Sequence, residues 1–130
     1  MAIVYAETLP TKTLGRVRFG FDSEGCLHEV KLRADSRSGS CGKASAVVPS
    51  RAKLERWLKA YLEGRDSPFP GKWMIPGNTD FTRKVYAAVA ELKAGETLCY
   101  ADVAARAGSA KACRAVGTAM GRNPIPLVVP

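Results

Sequence analysis

No run of this sequence approaches the roughly 20 apolar residues that a bilayer-crossing helix needs, so a membrane span is excluded. The first residues, Met1-Ala2-Ile3-Val4-Tyr5-Ala6-Glu7, lack the basic start and long apolar stretch of a secretory signal. No Cys-x-x-Cys pair occurs. Cys26, Cys41, Cys99 and Cys113 have no regular spacing and read as free thiols rather than as a disulfide framework. A soluble intracellular protein is expected, cytoplasmic or, in a eukaryote, nuclear. Carboxylates are the other shortage. Against 20 Lys and Arg stand 12 Asp and Glu, leaving +8, a balance that favours a polyanionic partner, nucleic acid ahead of an acidic membrane surface. With 46% hydrophobic residues in 130, the chain can bury a real core as one compact domain or two small ones, which argues against disorder.

The first third reads as β structure. Val17, Phe19 and Phe21 alternate with Arg16, Arg18 and Gly20, the period of a half-buried strand. Asp22-Ser23-Glu24-Gly25 supplies a turn. A second alternating run then places Cys26, His28, Val30 and Leu32 on one face and Leu27, Glu29, Lys31 and Arg33 on the other, predicting a hairpin. Residues 34–47, rich in Ser, Gly and Ala, read as a loop. A helix is predicted over Ser50–Leu62, capped by Ser50, with Leu54, Trp57, Leu58, Tyr61 and Leu62 as its apolar stripe and Gly64 at its stop. Pro68, Pro70, Gly71, Pro76 and Gly77 then mark a connector, anchored by Trp73.

The second half reads as helical. Thr79 or Asp80 caps a helix bearing Phe81, Val85, Val89 and Leu92, ended by Gly95. Shorter helices follow, from about Ala101 to Ala107 before Gly108 and from about Ala110 to Met120 before Gly121. Two short helices joined at a tight Gly turn fit a helix-turn-helix, although on pattern alone an ordinary three-helix cluster is the better reading. Charge shifts that balance. Beyond Asp102, the last carboxylate, the chain carries only Arg106, Lys111, Arg114 and Arg122, with nothing to repel phosphate. Ala112, Ala115, Gly117 and Ala119 are small enough to let a helix backbone approach a partner, or simply another helix.

Between Phe81 and Pro130 the motifs Phe81-Thr82-Arg83-Lys84-Val85-Tyr86, Gly95-Glu96-Thr97-Leu98-Cys99-Tyr100, Lys111-Ala112-Cys113-Arg114-Ala115-Val116-Gly117-Thr118-Ala119-Met120 and Gly121-Arg122-Asn123-Pro124-Ile125-Pro126-Leu127-Val128-Val129-Pro130 stand in family order and spacing. In them the chain closely resembles the O6-alkylguanine-DNA alkyltransferases, also called methylated-DNA–protein-cysteine methyltransferases. The first half is a weaker match, through Leu27-His28-Glu29-Val30-Lys31-Leu32 and the Trp57 helix.

The resemblance implies an α+β protein with a small N-terminal ribonuclease-H-like α/β domain (residues 1–76, with the connector) and a C-terminal winged helix-turn-helix domain (residues 77–130). It implies direct-reversal repair of double-stranded DNA. The protein binds the minor groove, flips an O6-alkylguanine out of the stack and passes the alkyl group to one of its own cysteines, once per molecule, as a monomer without cofactor. Arg114 matches the finger residue that fills the vacated stack, where a guanidinium plane can stack and hydrogen-bond. Its plain alternative is a phosphate contact. Tyr100 matches the tyrosine that assists extrusion and can donate a proton to guanine N3, against the plain alternative of a core tyrosine. Asn123 matches the hinge asparagine, whose amide can hold two backbone groups, or is a helix terminator. Lys111, Ala112, Ala115 and Gly117 match the surface that approaches the groove.

Family members continue from the matching proline into Cys-His-Arg, whose cysteine is the nucleophile, so the second domain is expected to be incomplete at Pro130 and the acceptor to follow it. The four cysteines present are expected to be structural, since a reactive thiol needs a base or cation nearby and His28 is in the other domain. Some family members hold zinc there. Cys26 and His28 could share a strand face, but with no further ligand recognisable and about four required, no metal is expected. Two alternatives remain: an alkyltransferase-like damage binder without transfer, and a sequence-reading regulator, the latter weakened by a recognition helix poor in long polar side chains.

Overall fold

Strand β2 (Arg16–Phe21) buries Val17, Phe19 and Phe21 completely while Arg16 stays exposed, as the alternation predicts. In the computed structural model, which describes residues 3–35, 42 and 47–130, the strand pairs antiparallel with β1 (Tyr5–Pro10) and with β3 (Cys26–Lys31). A two-residue strand, β4 (Lys72–Trp73), adds parallel to β3, giving a sheet of order β1-β2-β3-β4. The hairpin turn closes where Gly25, at φ 79°, donates its N–H to Asp22 O at 3.1 Å. The loop expected over residues 34–47 falls largely outside the described residues.

Two expectations in this sheet are corrected. β1 is absent from the sequence reading, because its residues do not alternate. Ala6 and Glu7 are both buried, the carboxylate tolerated because Arg51 Nη1 donates to it at 2.6 Å and the Tyr5 hydroxyl at 2.7 Å. In β3 the two-face pattern breaks. Gly20 lies opposite Glu29 but Phe21 lies opposite Leu27, so His28 is an extra residue, a bulge that slips the alternation by one. Leu27 and Val30 therefore share a buried face, Cys26 is buried as well, and Leu32 lies beyond the strand and exposed.

Helix α1 (Arg51–Leu62) starts where Ser50 Oγ accepts from Lys53 N. It ends in a paired turn, Gly64 N to Tyr61 O and Arg65 N to Ala60 O, that requires the left-handed φ of 73° at Gly64. Leu54, Trp57 and Leu58 are buried, whereas Leu62, at the edge of the stripe, is exposed. Trp57 meets Phe19 edge-on at 6.0 Å and Phe69 at 5.2 Å, and Phe69 stacks on Phe19 and Phe21. The connector is thus pinned by Phe69, and by Trp57 Nε1 donating to Ser67 O at 3.0 Å. Trp73, expected to be the anchor, is only half-buried, in β4.

The chain divides after Met74 into two units, two residues before the boundary expected at 76/77. The second unit holds α2 (Asp80–Ala90), α3 (Tyr100–Arg106) and α4 (Cys113–Gly121), each packed on the other two. Thr79, rather than Asp80, caps α2, its Oγ1 accepting from Thr82 N at 3.2 Å. Gly95 does not end that helix. It sits five residues later at φ 85°, in a turn closed by Glu96 N to Lys93 O. Gly108, at φ 90°, does close α3, with Gly108 N on Ala105 O and Ser109 N on Ala104 O. α4 begins at Cys113, not near Ala110, because a turn from Ser109 to Ala112 comes first. Val85, Val89, Val103, Val116, Ile125 and Val129 form the core. The apolar run Leu127–Val129 forms a turn, with Leu127 at φ 74° and Val129 N donating to Ile125 O.

Phe19 touches both Trp57 and Phe69, so Phe19→Ala should lower unfolding free energy by about 3–5 kcal/mol in urea titrations followed by far-ultraviolet circular dichroism.

Candidate nucleic-acid interface

Short side chains at one helix face let a neighbouring ring come close. Tyr100 opens α3 and is 51% exposed, and a Cβ built on Gly117 of α4 would lie 3.4 Å from its Cε2, so the ring lies against the α4 backbone. Its hydroxyl makes no hydrogen bond among the described residues and is left for a partner. Along α4 the residues on the outward side are Arg114, Ala115, Thr118 and Arg122, spaced to share one face, and all are exposed. Lys111 and Ala112 lie in the turn before α4 rather than in it, Lys111 exposed and Ala112 half-buried, its carbonyl accepting from Val116 N. Ala119 points the other way, buried, its carbonyl taking the Tyr86 hydroxyl at 2.5 Å.

That face borders a groove of about 740 Å³ whose walls include Asn78, Thr79, Thr82 and Tyr86 on one side and Ala115, Thr118 and Arg122 on the other. Thr118 and the α2 side of this groove were not among the sequence candidates. Counting four residues on from Arg114 would have found Thr118, but only folding brings Thr79 and Thr82 opposite it. Burial pushes the Tyr86 phenol up, partly offset by the Arg122 charge.

Asn123 follows α4 and uses its amide twice. Nδ2 donates to Val129 O at 2.7 Å, and Oδ1 accepts from Ile125 N at 3.0 Å. The side chain thereby ties the helix end to the segment leading to Pro130, where backbone groups have no regular ladder.

The described cysteines differ in burial. Cys26 is buried, and burial, with Asp22 and Glu24 nearby, raises its thiol pKa, so it is a poor nucleophile. Cys113 is half-buried, Cys99 is exposed and donates to Asp102 Oδ2 at 3.0 Å, and Cys41 lies outside the described residues. The fold adds a third donor to Cys26 and His28, because ligand atoms of Asp22, Cys26 and His28 lie within 4.8 Å of one another. Asp22 is already engaged, however. Oδ2 meets His28 Nε2 at 2.7 Å, and Oδ1 accepts from Glu24 N and Cys26 N. Among the described residues these three donors fall one short of a closed tetrahedral zinc set.

The family of the 6-O-methylguanine DNA methyltransferase DNA-binding domain matches residues 80–130, the stretch that carries α2, α3, α4 and Asn123. A methylated-DNA–protein-cysteine methyltransferase of Methanosarcina mazei is 42% identical over 109 residues, which cover 84% of this chain and 68% of that protein. The chain belongs to the methylated-DNA–protein-cysteine methyltransferase family. A methyltransferase of the same name from Methanosarcina acetivorans is 43% identical over 60% of this chain, which spans about half of that relative, 49%. The crystal structure of a Mycobacterium tuberculosis relative, OGT in complex with DNA, superposes with a TM-score of 0.72 at 26% identity, covering 96% of this chain and 74% of that one. The matched DNA-binding domain lies wholly within the second unit. No helix among the described residues is long and apolar enough to cross a membrane.

The N–H of Cys26 above all, then the His28 side chain and the N–H of Glu24, hold the Asp22 carboxyl below its usual 3.8, against the opposing effect of burial. A depressed carboxylate stabilises the fold above its unfolded pKa, and that contribution is lost as pH falls through the folded value. Stability should therefore drop more steeply below pH ~4 in the parent than in Asp22→Asn, compared by urea midpoints at stepped pH.

Proposed function

We propose that this family member repairs O6-alkylguanine in duplex DNA by direct reversal, as a monomer acting in the cytoplasm, or in the nucleus of a eukaryote. In this reading the first unit is a ribonuclease-H-like α/β domain and the second a winged helix-turn-helix. α4 enters the minor groove, where Ala112, Ala115 and Gly117 allow close approach and Lys111 meets phosphate. Arg114 occupies the space vacated by the flipped guanine, offsetting part of the few kcal/mol that unstacking costs. Tyr100 crowds the adjoining phosphate and turns its hydroxyl to the base.

The chemistry is a single displacement. The acceptor is the cysteine that follows the family's matching proline, placed directly after Pro130. Its thiolate attacks the alkyl carbon, a carbon–sulfur bond forms as the bond to guanine O6 breaks, and the departing guanine takes a proton at N3 from the Tyr100 hydroxyl. Asn123 is a positioning residue, holding the Pro124–Pro130 segment against the end of α4 through its two backbone hydrogen bonds. The reaction as proposed draws on no cofactor.

The observation that carries this reading is the juxtaposition, on one small unit, of an exposed Tyr100 lying on Gly117 with the exposed Arg114 one turn earlier on the same helix. Transferase names among the relatives disfavour a damage binder without transfer. In the full-length protein, Arg114→Ala should weaken binding to alkylated duplex by about 10-fold or more, the scale of unstacking left uncompensated. Equal affinity in a fluorescence titration would remove the finger role. Tyr100→Phe should retain duplex binding yet slow transfer by about 10²-fold, read as the rate at which intact protein mass gains one alkyl group. An unchanged rate would remove the proton-donor role.

A further inference from the structure

The stretch matched to a DNA-binding domain holds the smaller part of the positive charge. Residues 75–130 carry 7 Lys and Arg against 4 Asp and Glu, a surplus of 3, while residues 1–74 carry 13 against 8, a surplus of 5. Part of that larger surplus is gathered on α1. Leu54, Trp57 and Leu58 turn one side of the helix into the core, and Lys53, Arg56 and Lys59 are exposed at three-residue steps on the other. At 1.5 Å per residue the three Cα atoms span about 9 Å along the axis, the axial rise of two to three phosphates on one DNA strand.

Among the described residues the nearby carboxylates are engaged elsewhere. Glu55 is taken by Arg51, which also reaches Glu7 at 2.6 Å, and Glu63 is taken by Arg65. Among the described residues no carboxylate forms an ion pair with Lys53, Arg56 or Lys59. The arrangement costs the helix stability. Like charges three apart repel, and the first turn, which has no acidic residue, places Lys53 at the positive end of the helix dipole, a cost that the favourable place of Lys59 in the last turn offsets only in part. A face that is unfavourable for the isolated helix and unpaired within the fold is suited to a partner that brings closely spaced negative charge.

We propose that Lys53, Arg56 and Lys59 form a second contact for duplex DNA, a sequence-independent grip on the phosphate backbone that works in addition to the α3–α4 interface. The proposal rests on the repair reading, and it assigns the first unit a share of general DNA affinity rather than of lesion recognition. Three released counterions then appear in the salt dependence of binding.

The test is the affinity of the full-length protein for undamaged duplex at stepped salt, for the parent and for the triple variant Lys53→Gln/Arg56→Gln/Lys59→Gln. The slope of log affinity against log salt should become shallower by two to three, about 0.9 for each phosphate no longer neutralised. The alkyl-transfer rate at saturating alkylated duplex should stay at the parent value. Single glutamine variants, each with a slope shallower by about one, serve if the triple variant changes the circular dichroism spectrum. Parental slope and affinity in a folded triple variant would overturn the proposal and leave an acidic protein surface as the partner this face fits. If that result came with a clear fall in the affinity of Arg114→Ala, the repair reading would stand and this inference alone would fail. A parent that binds no duplex at all would overturn both.

Discussion

One amide side chain closes the DNA-binding unit. After α4 the chain has no further helix or strand, yet Ile125 and Val129 must be buried and Leu127 must adopt a left-handed φ of 74°. Backbone groups in such a segment cost free energy unless they find partners. Asn123 supplies two, one donor and one acceptor from a single planar group, and so fixes how the segment leading to Pro130 leaves the end of α4. Everything proposed for the chemistry depends on that exit, because a displacement needs its reacting atoms aligned to within fractions of an ångström.

The helix that precedes Asn123 works by what it lacks. Gly117 has no side chain, so the Tyr100 ring lies against the α4 backbone, and Ala115 leaves the outward face low between Arg114 and Thr118. On the inner side the same small residues serve packing, with Ala119 buried and its carbonyl holding the Tyr86 hydroxyl. Close packing against a neighbour and a low exposed surface are therefore one property used on two faces. In the first unit the logic is reversed. Large rings, Phe19, Phe21, Trp57 and Phe69, lock sheet, helix and connector together, and the exposed side of α1 is left to charge.

Much of this was legible in the residues themselves. The alternation in β2, the Ser50 cap and apolar stripe of α1, and the Gly108 break between α3 and α4 each depend on neighbours within a few positions, which is the range over which backbone propensity and side-chain period act. The family's motifs from Phe81 onward carried the function, and the charge balance pointed to a polyanion. Where pattern failed, it failed at features set by distant partners. β1 does not alternate because Arg51, 44 residues away, offsets the cost of burying Glu7. The bulge at His28 turns one expected face of β3 into two.

By itself, then, the sequence determined β2, the approximate extents of the four helices, the family, and the small-residue character of α4, because each is written in local spacing. Only the tertiary structure decided that Asp22 joins Cys26 and His28, that Thr79 and Thr82 face Thr118 across a groove, and that Leu127–Val129 turns rather than extends. Those outcomes depend on which buried polar groups find partners across the fold, and no local period encodes that choice.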